Sequence, residues 1–278
     1  MKINLTQPKP LAAALEQFDA RSPVRTALSS AEIEDLPLAV REASTFSAKL
    51  TNLRTLQKIH DLLGGAIALT KTNNGDGVTI DRGKFIETVR EVAIAEGLQP
   101  EPGELSPIEN ITSTARLDLI WDMQIKGAQG YAAYAAAHNP NVIQMFPCQE
   151  LYRQDDRNEP RDWPATWKAA GGEFYGPNKD RMIARIDSEI WTAISRFGRP
   201  WPLYDYYSGM WIRSIPRRES VELGVIGRKE RVKSTIGEFN QGLQAEAGRL
   251  PGGLKDAAEK LFAGTAIERG GRFVVPVP

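Results

Sequence analysis

The chain is poor in the residues that build metal and nucleophile sites. It has one cysteine, Cys148, and two histidines, His60 and His138, in 278 residues. A lone cysteine excludes an intramolecular disulfide and the four-ligand zinc sites built on cysteine pairs. The histidines stand near the ends of two different helical segments, neither with a second ligand one turn away, so each reads as a packing or helix-end residue. Neither sign of charge is in excess. Lys+Arg and Asp+Glu both number 35, so no global field draws the chain onto nucleic acid or an anionic membrane. No apolar run approaches the roughly 18 residues that a membrane-spanning helix needs. The opening Met-Lys-Ile-Asn-Leu-Thr-Gln-Pro-Lys-Pro has no apolar signal core, and the expectation is a soluble intracellular protein. Walker and dinucleotide-binding glycine loops, a Gly-x-Ser-x-Gly elbow and a His-Glu-x-x-His pair are missing. Asn73-Asn-Gly-Asp-Gly77 fails as a calcium loop, because Thr72 and Gly83 would fall where acids are required. The reading is of a chain without cofactor or metal.

What is present is an ordinary globular balance, 41% hydrophobic and 25% charged, long enough for one large domain or two small ones. Residues 1–30, with Pro8, Pro10 and a short amphipathic stretch at Leu11–Phe18, read as an arm. Residues 31–108 read as an N-terminal helical domain. Ser29-Ser-Ala-Glu32 is a capping box. Apolar residues from Leu38 to Leu63 recur at three- and four-residue steps, which predicts one long helix stopped by Gly64-Gly65. Asp81 caps a helix that ends at Gly97, and the prolines of 98–110 mark a linker and a domain boundary.

A core domain is expected over 109–230. Its longest helix, capped by Thr112 or Ser113, runs to about His138. Its second half, from Gly127 to Ala137, is small residues and tyrosines, which predicts a tight helix–helix contact within the chain or between subunits. Val142–Phe146 and Glu150–Arg153 read as short strands, Asn178–Phe197 as a helix, and Pro216–Leu223 as a short helix. In the last segment, 231–278, helices are expected at Thr235–Leu250 and Gly253–Phe262, followed by a hairpin about Gly270-Gly271. The fold class is α+β, mainly α: long amphipathic helices, a small central β element and a C-terminal β-hairpin.

The stretch from Cys148 to Glu219 holds five of the six tryptophans and the densest polar run. Asp155, Asp156, Glu159 and Asp162 cluster, and Asp205 sits between Tyr204 and Tyr206. Two facing carboxylates with aromatic platforms are what glycoside hydrolysis needs, so a carbohydrate-active or toxin-like enzyme is one reading. Arg153, Arg157 and Arg161 alternate with these acids and favour a neutralised structural network of Asp155, Arg157, Glu159, Arg161, Asp162, Trp163, Trp201, Asp205 and Trp211. Farther on, Arg213, Arg217, Arg218, Arg228, Lys229, Arg231 and Lys233 face only Glu219, Glu222 and Glu230 in the same 21 residues. Such a basic run could contact phosphates of nucleic acid, or be a solvated face.

Several dispersed segments resemble one family. Pro23-Val-Arg-Thr-Ala-Leu and Leu36-Pro-Leu-Ala-Val-Arg-Glu-Ala-Ser-Thr-Phe-Ser-Ala-Lys resemble the N-terminal part of phage Mu F-like proteins, the minor head or head-morphogenesis proteins of tailed phages and prophages. The helix at 112–138 is similar to their central helix. Glu150-Leu-Tyr-Arg, Glu159-Pro-Arg-Asp-Trp, Arg196-Phe-Gly-Arg-Pro-Trp-Pro and Ser208-Gly-Met follow in matching order, so the resemblance spans roughly 23–226. It implies a non-enzymatic virion or procapsid component, made in the host bacterial cytoplasm. It further implies contacts with the portal protein and the major capsid protein, and with packaged double-stranded DNA. Many such domains end in a Cys/His-rich, metal-binding element. This chain has no histidine after His138 and cannot build it, and the Trp/Pro/Tyr segment at 197–213 occupies that place.

Overall fold

The structure, a computed structural model, describes residues 18–19, 21–36, 38–69, 80–236 and the short segments 244–246, 267–269 and 272–274. The expected helix at 253–262 and residues 1–17 of the arm lie outside these. The fold is α+β and mainly α, with 42% helix and 11% strand. Two compact units divide it: residues 1–129 with 240–278, and residues 130–239. The division therefore falls at Gln129/Gly130, inside the long helix, not in the proline-rich segment before residue 109. Residues 240–278 belong with the first unit.

In the first unit, α1 (Ser30–Glu34) opens with the expected capping box. Ser29 accepts from the Glu32 amide, and the Glu32 carboxylate accepts from the Ser29 amide. The predicted long helix is instead two, α2 (Leu38–Ala43) and α3 (Leu53–Leu69). Between them, β2 (Ser44–Thr45) pairs in parallel with β1 (Ser22–Pro23). Helical spacing persists across the break, but Ser44 and Thr45 bond better to a neighbouring strand. Asn52 then restarts the helix by accepting from the Thr55 amide. Arg116, buried, fixes the intervening loop by donating to Ser47 Oγ and the Ala48 carbonyl.

Gly64 and Gly65 do not stop α3. A side chain at Gly65 would stand 2.8 Å from the Ile80 side chain, so this glycine admits a close neighbour. Phe18, part of the expected arm, is buried and stacks on His60 at 4.9 Å. Val24 and Thr26, also within the expected arm, are buried too. α4 (Arg82–Ala95) is capped by Asp81 as expected and turns Phe85, Val89 and Ala93 inward. The proline-rich segment after it is tied back, since Arg90 donates to the Thr112 carbonyl and Arg116 to that of Ile108. β7 (Gln244–Glu246), β8 (Ile267–Arg269) and β9 (Arg272–Val274) form an antiparallel sheet. The C-terminal hairpin is as expected, whereas 244–246 is strand where a helix was predicted.

The long helix, α5 (Thr114–Ala137), is capped by Ser113, whose Oγ accepts from the Arg116 amide. Over residues 130–134 its small-residue half receives a loop. A Cβ at Gly130 would lie 1.8 Å from the Pro202 carbonyl oxygen, and Tyr131 and Tyr134 pack on Trp201 with ring centres 5.1 and 5.3 Å away. The glycine admits a loop backbone. Asn139 and Pro140 then start α6 (Pro140–Ile143) where a strand was expected, because Asn139 accepts from the Asn141 amide and proline suits a first turn.

The second unit is built on an antiparallel sheet of order β4-β5-β3-β6: β3 (Cys148–Arg153), β4 (Phe174–Tyr175), β5 (Arg181–Arg185) and β6 (Met210–Ile215). The predicted helix over 178–197 is β5 followed by the single turn α8 (Ile190–Ala193). Its isoleucine spacing misled because both faces of β5 are covered, Met182 on one and Ile183 on the other. Leu151, Met182, Met210 and Ile212 pack under α7 (Trp163–Ala169) and α8, around Trp163, Trp167 and Trp191. Cys148, Ile183 and Ile215 pack on the opposite face with Ile226, beside α9 (Arg217–Glu222). No helix among the described residues is long and apolar enough to cross a membrane.

Replacing Gly130 by alanine is expected to lower stability by roughly 1–3 kcal/mol, since the Pro202 backbone must move. Gln129→Ala on the exposed side should change it by no more than about 0.5 kcal/mol. Thermal unfolding of both variants checks this, and an unchanged Tm for Gly130→Ala would contradict the packing.

Candidate functional site

Each acid of the suspected carboxylate cluster can be placed. Asp162 caps α7, accepting from the Ala165 amide at 2.9 Å. Asp205 accepts from the Tyr206 amide at 2.7 Å and meets Arg161 Nε at 3.1 Å and Arg196 at 3.8 Å. Asp155 lies 3.7 Å from Arg157. Arg161 also donates to the Tyr206 carbonyl, and Arg153 to that of Arg161, so the arginines lace 153–162 onto the 205–209 turn. Gly209, at φ +66°, completes that seam; a side chain there would meet the Asp155 carbonyl oxygen at 2.4 Å. Asp156 and Glu159 point to solvent.

A cleft of about 350 Å³ opens beside this seam, lined by Arg161, Trp163, Ser195, Arg196, Tyr204 and Asp205 among others. Its one carboxylate, Asp205, is already held by two guanidiniums, those of Arg161 and Arg196. Asp162 thus caps a helix and Asp155 and Asp205 pair with arginines, whereas Asp156 and Glu159 are exposed. Trp201 and Trp211 stand apart from the other tryptophans. Trp201 packs on α5, and Trp211 is half-buried on the opposite sheet face, paired across strands with Tyr152.

Sequence reasoning missed a buried carboxylate on the central strand. Glu150, 5% exposed, receives Arg181 from β5 (2.6 Å) and Arg213 from β6 (2.9 Å). Arg181 also reaches Glu219 at 2.8 Å. Burial pushes the Glu150 carboxyl up, but hydrogen bonds and charge from the two arginines outweigh it and hold the pKa below the usual carboxylate range. An acid in a strand whose neighbours carry arginines on the same face was the available signal.

The seven basic residues of 213–233 divide into two groups. Arg213 is on Glu150, Arg217 donates to the carbonyls of Gln144 and Glu230, and Arg218 pairs with Glu222 at 2.8 Å. Arg228, Lys229, Arg231 and Lys233 are exposed, and no hydrogen bond or ion pair engages their side chains among the described residues. Between them Glu230 turns inward to Arg185, and Val232 is buried with Ala137, Ile143 and Ile186.

Buried Cys148 is a core residue, its thiol pushed up in pKa by burial. His138 is buried between the Tyr134 carbonyl and Thr235 Oγ1, and His60 lies 3.0 Å from Thr45 Oγ1. Among the described residues no group of three or more His, Cys, Asp or Glu side chains is placed to hold a metal. No protein-family model, curated protein or solved structure matches this chain.

Replacing Glu150 by glutamine should lower stability at neutral pH by about 1–3 kcal/mol, because two guanidiniums lose a charged acceptor. The sign with pH follows from the lowered pKa. Stability from ionised Glu150 is full above its unfolded value near 4.5 and is lost as pH falls through the folded value. Urea unfolding at neutral pH and at about pH 3 should show the difference between wild type and Glu150→Gln shrinking in acid. A difference independent of pH would contradict the clamp.

Proposed function

We propose that the chain is a non-enzymatic minor head component of a tailed phage or prophage, acting in head morphogenesis through contacts with the portal and major capsid proteins. The reading starts from the order of segments that resemble Mu F-like proteins across roughly 23–226. The observation that supports it best is the state of the 148–219 region. Asp162 caps a helix, Glu150 and Asp205 hold arginines, and the tryptophans fill a core, which supports reading the stretch as a brace. The segment 197–213 within it occupies the place where many Mu F-like relatives carry a Cys/His element. Aromatic packing and arginine–carboxylate ties do there what metal cross-linking does in those relatives.

A carbohydrate-active reading would rest on Asp205 and an acid of 155–162 facing each other as a free pair across the cleft. Asp162 is spent on a helix cap and Asp205 on two arginines, which favours the structural role.

Virions or procapsids purified from the producing host should contain this chain in few copies, and tagged chain should co-purify with the portal protein. Normal heads assembled in its absence would sink the proposal.

A further inference from the structure

We infer that the loop 227–233 is a preformed binding site for the phosphate backbone of duplex DNA, with Arg228, Lys229, Arg231 and Lys233 as its contacts. This deepens the head-component reading by assigning the DNA-facing residues of the chain, and the loop geometry on which it stands is independent of that reading.

Four like charges in six residues repel one another, and a loop left to itself would relieve this by spreading. Here the backbone is fastened at every second or third position. The Gly227 amide donates to the Glu230 carboxylate at 2.8 Å, and the Glu230 amide returns to the Gly227 carbonyl. Glu230 is tied from outside the loop by Arg185, and its carbonyl accepts from Arg217. The Val232 carbonyl accepts from Gln144 at 2.7 Å, and its side chain is 3% exposed. The Lys233 amide donates to Asp187, and Thr235 holds the exit through His138 and Tyr134. Inward-facing Glu230 and Val232 alternate with outward-facing Lys229, Arg231 and Lys233. The single acid, its side chain 36% exposed, is paired with Arg185, and the exposed side chains of this stretch are the cations Arg228, Lys229, Arg231 and Lys233. A loop already ordered loses little further entropy on binding.

Three features select the partner. No aromatic residue lies within 227–236, so the loop offers no platform for stacking single-stranded bases. Its apolar residue, Val232, is buried, so nothing is left to insert among lipid chains. Outward residues two apart are separated by about 6.6 Å in extended chain. A duplex offers one charge per about 1.7 Å of axis, so long flexible cations find phosphates without sequence-specific matching.

The test is fluorescence anisotropy of the full-length chain with a short random-sequence DNA duplex, titrated with salt. Binding at low salt should weaken with a log–log slope of about −3 to −4, as three or four phosphates are neutralised. The variant R228Q/K229Q/R231Q/K233Q should bind at least about tenfold more weakly at low salt and lose most of that slope. Its substitutions are all exposed, and an unchanged circular-dichroism melt confirms that it folds. Arg218→Gln, which touches only the Glu222 pair, should keep the wild-type slope to within about one unit. No binding by the wild type at low salt, or equal affinity and slope in the fourfold variant, overturns the assignment. Binding to anionic vesicles without binding to duplex DNA overturns it also. DNA binding by a chain absent from virions would sink the head role and leave the site standing, whereas a virion component without DNA binding would do the reverse.

Discussion

The second unit depends on one ion cluster, Arg181–Glu150–Arg213, which ties three adjacent strands across one face of the sheet. Because side chains alternate along a strand, a one-residue slip of β3 would exchange Glu150 with Leu151 and drive a carboxylate into the tryptophan core. The clamp therefore fixes register as much as it stabilises, and register decides what lies beyond it. With Glu150 opposite Arg213 and Ile183, Cys148 stands opposite Arg185, and Arg185 reaches Asp187 and Glu230. The sheet thus holds the basic loop through a chain of side chains, each placed by the one before.

The arginines of this unit do two different things. Those at 161, 181, 185, 196, 213 and 217 are turned onto carboxylates or carbonyls and close seams between segments. Those at 228 and 231, with Lys229 and Lys233, are left outward on a loop whose backbone the first group helps to hold. A planar guanidinium suits the first task because it can bridge two acceptors at once, as Arg181 does between Glu150 and Glu219. A chain with equal numbers of acids and bases can therefore still present a strongly cationic patch. Within 227–233 four cations are exposed while the one acid, Glu230, is paired with Arg185.

Local signals in the sequence translated well into structure. The Ser29–Glu32 box, the Asp81 cap, the long helix after Ser113, strand β3 and the C-terminal hairpin were all legible, because each rests on chemistry within a few residues. Non-local competition defeated the rest. Ser44–Thr45 left the helical pattern to pair with Ser22–Pro23, and residues 181–185 carried isoleucines at helical spacing but were claimed by a sheet buried on both faces. Gly64 and Gly65 looked like a stop, but α3 runs through both, and Gly65 admits the Ile80 side chain. At the candidate site, the alternation of acids and arginines in 153–162 gave the brace, while Glu150 stayed hidden because its partners are 31 and 63 residues away. The basic run was visible, but its division into engaged and outward cations depended on which side chains the fold turned inward.

The central claim is that the second unit holds loop 227–233 as a rigid, preformed cationic surface. Amide hydrogen exchange on the full-length chain tests it most directly. The Gly227, Glu230 and Lys233 amides are bonded to Glu230, Gly227 and Asp187 and should be protected on the timescale of the β3–β6 sheet, without any ligand. Exchange of these amides at the rate of an unstructured peptide, with β3 and β6 still protected, would contradict the claim.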